Sequence, residues 1–369
     1  MMRHERGFSL VELMVAMTVT LVVSGAIYGL LTVGGNAFRR EPEVADRQQN
    51  IRAAMDLISR DVYNAGAAVP PFGQVFTVTD PAGGDCTGGL DGCGMAGAMG
   101  PDPTDVLEMV GADERCPAQT MCCTADPCTT APGTAAAFTT REETPACMTL
   151  PGLALITSST GTAANDWFVI QPVAATSGAG SDCVPGGNAR NGNLTMGAIL
   201  PAWPPGAAIG TPSNAPPPST PVIFVYPGRV VRYRVAPAID PTDTAPALWR
   251  SETGRYRRDG TAALEPGNGG FPDANTPWEL VARGIEDLQV EYFAGAGPWA
   301  DRPPTVTTGT WNTLVRSVRI TLSARTTAAN LQGVTTAGGT GPDAVRGQLS
   351  TVVTPRAAFG ELQMGSQIR

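Results

Sequence analysis

The stretch that decides the fold lies at residues 7–33, "GFSLVELMVAMTVTLVVSGAIYGLLTV". From Phe8 to Val33 there are 26 residues and one charge, Glu12. A bilayer-spanning helix needs about 20 apolar residues, so the run is long enough to be a membrane anchor. It is longer than the apolar part of a secretory signal, about 7–15 residues. At about 1.5 Å of rise per residue, Glu12 lies roughly 6 Å from Phe8 along a helix. Near a membrane interface such a carboxylate can reach water. Buried in a packed bundle it would be costly unless paired. Neither a plain anchor nor a secretory signal accounts for the polar leader "MMRHERG" stopping at Gly7, directly before Phe8.

The segment that follows, "NAFRREPEVADRQQNIRAAMDLISRDVYNAG" at 36–66, continues the helix in amphipathic form. Ile51, Met55, Ile58 and Val62 recur at spacings of 4, 3 and 4, which makes one apolar stripe. Arg47, Arg52, Asp56, Arg60 and Asp61 fall on the other faces. Gly66 is the expected stop. Gly34, Gly35 and Pro42 are the expected kink points.

Beyond the helix the chain changes character. The 369 residues include 44 Gly and 33 Pro, and only 16% are charged. All 25 cations are Arg and the net charge is −8. No basic stretch or nucleic-acid module appears, which argues against nucleic-acid binding. The one His is His4, so Ser-His-Asp and Cys-His nucleophile systems are excluded once the leader is gone, as are His-containing metal sites. The glycine-rich "GGTGPD" and "GNGG" open no Lys-containing phosphate loop, and no carboxylate pair stands out by spacing. An enzyme is not expected, and neither is a cofactor. Eight cysteines, Cys86, Cys93, Cys116, Cys122, Cys123, Cys128, Cys147 and Cys183, lie beyond the apolar segment. An even count in that position suggests disulfides in an oxidising compartment, with the pairing open. The C-x₂-C knuckle spacing of zinc sites is missing. Asp85 and Asp91 fit no EF-hand pattern, so no metal site is expected.

The reading from 67 to 228 is of a Gly/Pro/Cys-rich insertion with short strands at 105–110, 166–171 and 222–226. From 229 to 369 the pattern is of strands. Leu288, Val290 and Tyr292 alternate with Gln289 and Glu291, and Val318, Ile320 and Leu322 alternate with Arg319, Thr321 and Ser323. Residues 349–353 are a further strand candidate. Period-two alternation implies an antiparallel sheet with one face covered, and the helix stripe is the natural cover.

"GFSLVELMVAMTVTL" resembles the type IV prepilin signature, and "RQQNIRAAMDLISRDVYNAG" is similar to PilW-type minor pilins and to J-type pseudopilins of type II secretion. "ELVARGIEDLQVEYF" and "LVRSVRITLSAR" resemble the C-terminal sheet of the same group. Together with the composition, the expected division is a leader at 1–7, a pilin helix at 8–66 with its anchor at 8–33, a large loop-rich, disulfide-stapled insertion at 67–228, which the resemblance covers poorly, and the sheet region at 229–369. The resemblance implies an α+β fold: a long N-terminal helix, half membrane anchor and half amphipathic, packed on a C-terminal antiparallel sheet. It also implies cleavage between Gly7 and Phe8 and N-methylation of Phe8 by prepilin peptidase. Glu12 then registers the subunit against a neighbour's terminal amine. The implied function is that of a minor pilin in a complex that primes or caps the type IV pilus, in adhesion and twitching motility. Its partners would be the peptidase, the major pilin, other minor pilins and a large tip adhesin. It would sit in the inner membrane with its globular part in the periplasm, then at the surface near the pilus tip. The alternatives are a J-type pseudopilin and a signal-anchored periplasmic binding protein, the latter with "GNA" at 35–37 as a loose cleavage match. Gly29, where many major pilins carry Pro, speaks against a major pilin.

Overall fold

The computed structural model describes residues 9–69, 75–77, 104–113, 116, 118–120, 137–140, 147–148, 151–158, 167–176, 192–196, 224–237, 246–253, 278–301, 303, 315–327 and 345–356. One helix, α1 (Leu10–Asn64), runs for 55 residues, about 80 Å at ordinary helical rise. Ser9 caps it: the Ser9 hydroxyl accepts from the Glu12 amide, and the Glu12 carboxylate accepts from the Ser9 amide, each at 3.2 Å. The helix is unbroken through Gly34, Gly35 and Pro42, where kinks were expected. Pro42 is exposed, so the carbonyl it leaves without an intrahelical donor can be met by water. The end comes at Gly66, whose φ of +80° only glycine adopts without strain. Its amide donates to the Val110 carbonyl at 2.8 Å and so stitches the helix end to the sheet.

Thirteen strands follow among the described residues, in two antiparallel sheets. The larger sheet comprises β1 (Phe76–Thr77), β2 (Val106–Ala112), β3 (Gln119–Thr120), β4 (Ala137–Thr140), β5 (Gly152–Ser158), β6 (Trp167–Thr176), β7 (Gly192–Met196), β8 (Phe224–Pro237), β9 (Pro246–Ser251) and β10 (Trp278–Arg283). Its main path is β1-β2-β8-β5-β6-β7-β4, with β3 and β9 also on β8 and β10 on β9. The smaller sheet is β11 (Ile285–Phe293), β12 (Ser317–Arg325) and β13 (Arg346–Val353), in that order.

β8 organises the larger sheet. It pairs with β2 over 228–234, with β5 over 224–228 and with β9 over 232–237. Gly228 stands where the β2 and β5 pairings meet. A Cβ there would come within 2.8 Å of the Leu155 amide nitrogen, so only glycine permits the approach. Glu108 of β2 lies directly opposite Arg232 of β8, and the two are joined at 2.6 Å with no exposure of either. A one-residue slip would turn both charges to the other face, so the pair specifies register as much as it stabilises. The division at 228/229 expected from composition falls inside β8, and strands from both sides of it share one sheet.

The core joins all three layers. Ile51, Met55, Ile58 and Val62 of α1 are buried in one cluster with Leu107 and Val110 of β2, Tyr233 and Val235 of β8, and Ile320 and Leu322 of β12. In β11 and β12, Leu288, Val290, Tyr292, Val318, Ile320 and Leu322 are buried while Gln289, Glu291, Arg319, Thr321 and Ser323 are half-buried. The fold is α+β: an apolar N-terminal helix with antiparallel sheets.

Candidate functional site: the N-terminal helix and its seat

The helix has two halves with opposite surroundings. Leu10–Thr32 has a mean hydropathy of 2.1 and no part of it is buried. Leu10, Leu21, Val22, Tyr28 and Leu30 are each more than 70% exposed, a surface that water does not favour. From Ile51 onward the same helix supplies core side chains. Glu12, in the first turn, is exposed and is held by its box with Ser9. Gly7 and Phe8 lie outside the described residues.

Polar contacts fix how the second half sits. Thr327 donates to Glu43 at 3.1 Å, and the Asn50 amide donates to the Arg283 carbonyl at 3.4 Å. Arg47 lies across Gly347 of β13, close enough to meet any Cβ placed there at 3.0 Å. Near the helix end Asp61 is buried rather than on an outward face, as the helical pattern implied. It accepts from the Tyr233 hydroxyl at 2.6 Å and from Arg250 Nε at 2.7 Å, with Arg229 at 3.7 Å. Arg250 continues to Glu252 at 2.9 Å. The helix stripe therefore ends in a charge network anchored on β8 and β9. Burial pushes the Tyr233 hydroxyl well above its usual range, and the Asp61 carboxylate pushes it further against the opposing Arg250. Burial works against the charge of Arg250, but hydrogen bonds and charge from Asp61 outweigh it and hold the guanidinium more firmly protonated. Nothing in the helical spacing marked Asp61. The signal lay in the partners, and Tyr233 and Arg250 are remote in sequence.

The smaller sheet is tied to the larger one at Thr104 and Asp105. The Leu288 amide donates to the Thr104 hydroxyl at 3.0 Å, and the Val290 amide to Asp105 at 2.7 Å. Burial and the nearby Asp105 charge raise the Tyr292 hydroxyl above its usual range. Cys116 and Cys147 form a disulfide, closing a separation of 31 residues. Cys86, Cys93, Cys122, Cys123, Cys128 and Cys183 lie outside the described residues. Among the described residues no group of His, Cys, Asp or Glu is arranged to hold a metal ion.

The geometry is that of a long helix, capped at Ser9, exposed and apolar over its first half and seated on antiparallel sheets over its second. Residues 2–28 match the prokaryotic N-terminal methylation motif. Among solved structures, a type IV-like pilin from Thermus thermophilus is 16% identical, with 57% of this chain and 85% of that one covered. Its TM-score is 0.20, a superposition too slight to bear on the fold. No curated protein matches the chain. The methylation motif thus lies on the exposed end of such a helix.

Proposed function

We propose that this chain is a minor pilin. It is inserted in the inner membrane, cleaved between Gly7 and Phe8 and methylated on Phe8 by prepilin peptidase. It then joins other minor pilins in a complex that primes or caps a type IV pilus, beneath a large tip adhesin and against the major pilin. The observation that carries the reading is the methylation motif at 2–28 on a helix whose apolar half is exposed among the described residues. That half is free to pack against membrane and then against neighbouring helices. The role is structural: the chain is a substrate of the peptidase, and its own chemistry is assembly. Glu12 is the registering group. Among the described residues its carboxylate accepts from the Ser9 amide, and in a packed bundle a neighbour's terminal amine would complete it.

Mass spectrometry of the mature protein tests this first: the chain should begin at a methylated Phe8. An N-terminus near Ala37 would instead mark a signal peptide. Glu12→Ala, as the sole copy in the cell, should leave insertion and cleavage intact and deplete the subunit from sheared filaments. Breaking a buried pair costs roughly 3–5 kcal/mol, several hundred-fold in an equilibrium. Loss of exoprotein secretion in place of piliation would move the assignment to a J-type pseudopilin.

A further inference from the structure

Between its apolar half and its seat, α1 has a short third zone. Beyond Thr32 come Gly34 and Gly35, each with open space around it, and then "AFRREPE" at 37–43. Phe38 is 79% exposed, more than any other large apolar side chain among the described residues, and Arg40 is exposed as well. Helical residues turn by about 100° each, so Phe38 and Arg40 stand on opposite sides of α1. Arg40 shares the face that Glu43 and Arg47 turn to the sheets, and Phe38 lies on the face away from them. Among the described residues the first side-chain hydrogen bond from the sheets to α1 is that of Thr327 to Glu43, about 5 Å further along.

The apolar half fixes the height of this zone. With Glu12 at one water-facing boundary, residues 13–32 span about 30 Å, the thickness of a bilayer's hydrocarbon core. The headgroup layer beyond is roughly 5–8 Å deep. The backbone of Phe38 and Arg40 lies about 9 and 12 Å past Thr32. Helical side chains lean toward the helix N-terminus, which here is toward the membrane, so ring and guanidinium reach down into that layer. Charge is ordered along the axis too. Arg39 and Arg40 come first, and Glu41 and Glu43 follow farther from the membrane, with Glu43 accepting from Thr327. The chain as a whole carries −8, which an anionic surface would repel, and the two arginines put the opposite sign at headgroup height.

We propose that Phe38, Arg39 and Arg40 form a collar on α1 that binds the headgroup layer of an anionic phospholipid bilayer, with the arginines on lipid phosphates. A neighbouring helix would cover one side of α1. A headgroup layer surrounds it, and so meets Phe38 and Arg40 together. The collar then holds the seat of the sheets at a set height above the membrane. It rests on the membrane insertion proposed above and adds a lipid site to it.

The test replaces Phe38 by the photo-crosslinking residue benzoylphenylalanine in the full chain, reconstituted in vesicles of equal parts phosphatidylcholine and phosphatidylglycerol. Adducts are identified by peptide mass spectrometry. Phospholipid adducts should form, with phosphatidylglycerol favoured by about fivefold for each arginine engaged. That excess should vanish with Arg39→Gln and Arg40→Gln together, and shrink at high salt. The same photo-crosslinker in place of Arg52, about 18 Å beyond Arg40, should capture no lipid. Adducts to protein alone, lipid adducts without the phosphatidylglycerol excess, an excess indifferent to the two arginines, or equal lipid capture at both positions would overturn the collar. Alkaline carbonate extraction of the same vesicles separates this from the membrane reading. A retained chain without the expected adducts refutes the collar alone, and a released chain refutes both.

Discussion

Tyr233 and Tyr292 are phenols that the fold keeps neutral. Both have ionisation raised above the ordinary value of 10.0, chiefly by burial and then by a neighbouring carboxylate, Asp61 for one and Asp105 for the other. The sign of the pH effect follows. A group raised in the folded state contributes fully below its unfolded value and loses that contribution as pH climbs beyond it. Stability should therefore be level with respect to these two groups up to about pH 10. It should then fall by up to about 1.4 kcal/mol per pH unit for each tyrosine, because only the unfolded chain gives up its proton. Urea unfolding of the protein between pH 9 and 11 measures this. The Tyr233→Phe, Tyr292→Phe double variant should show a clearly shallower alkaline decline, and an identical slope would refute the assignment. The same residue scale separates what sequence could show from what it hid. Glu12 was legible because it is the one charge in an apolar run. Asp61 was not, because its burial depends on Tyr233 and Arg250.

At the scale of elements, alternation identified β11 and β12, and the apolar stripe of α1 is the face that the core buries. The strand candidate ending at 226 and the strand region starting at 229 are joined in one strand, β8 (Phe224–Pro237), with β5 close against Gly228 at the join. β5, "GLALITS", left no alternating signal, since its Leu153–Ile156 stretch is buried on both faces. The Cys116–Cys147 disulfide ties the segment after β2 to the segment before β5. In the chain-entropy model a loop of that size contributes about 4 kcal/mol. Replacing both cysteines by Ala should lower the unfolding free energy by roughly 2–4 kcal/mol, read as a fall in Tm under non-reducing conditions. A shift below about 1 kcal/mol would show that strand pairing alone holds these segments.

Over the whole molecule, the two halves of α1 divide the labour. Nothing in Leu10–Thr32 is buried, and the buried apolar side chains begin at Ile51. A chain starting at residue 33 should therefore be soluble without detergent and should keep its thermal midpoint within about 2 °C of the full chain in detergent, as for changes outside the core. A larger fall would mean that the apolar half supports the sheets. What the sequence determined by itself was everything with a local cause. The membrane-length helix follows from an uninterrupted apolar run and the covered sheet from period-two alternation. Tertiary structure alone decided the partnering. The burial of Asp61 against Tyr233 and Arg250 and the Glu108–Arg232 pair in an interior register each join residues far apart in the chain. Burial and pairing of charge depend on what the other strands bring alongside, and no single segment carries that information.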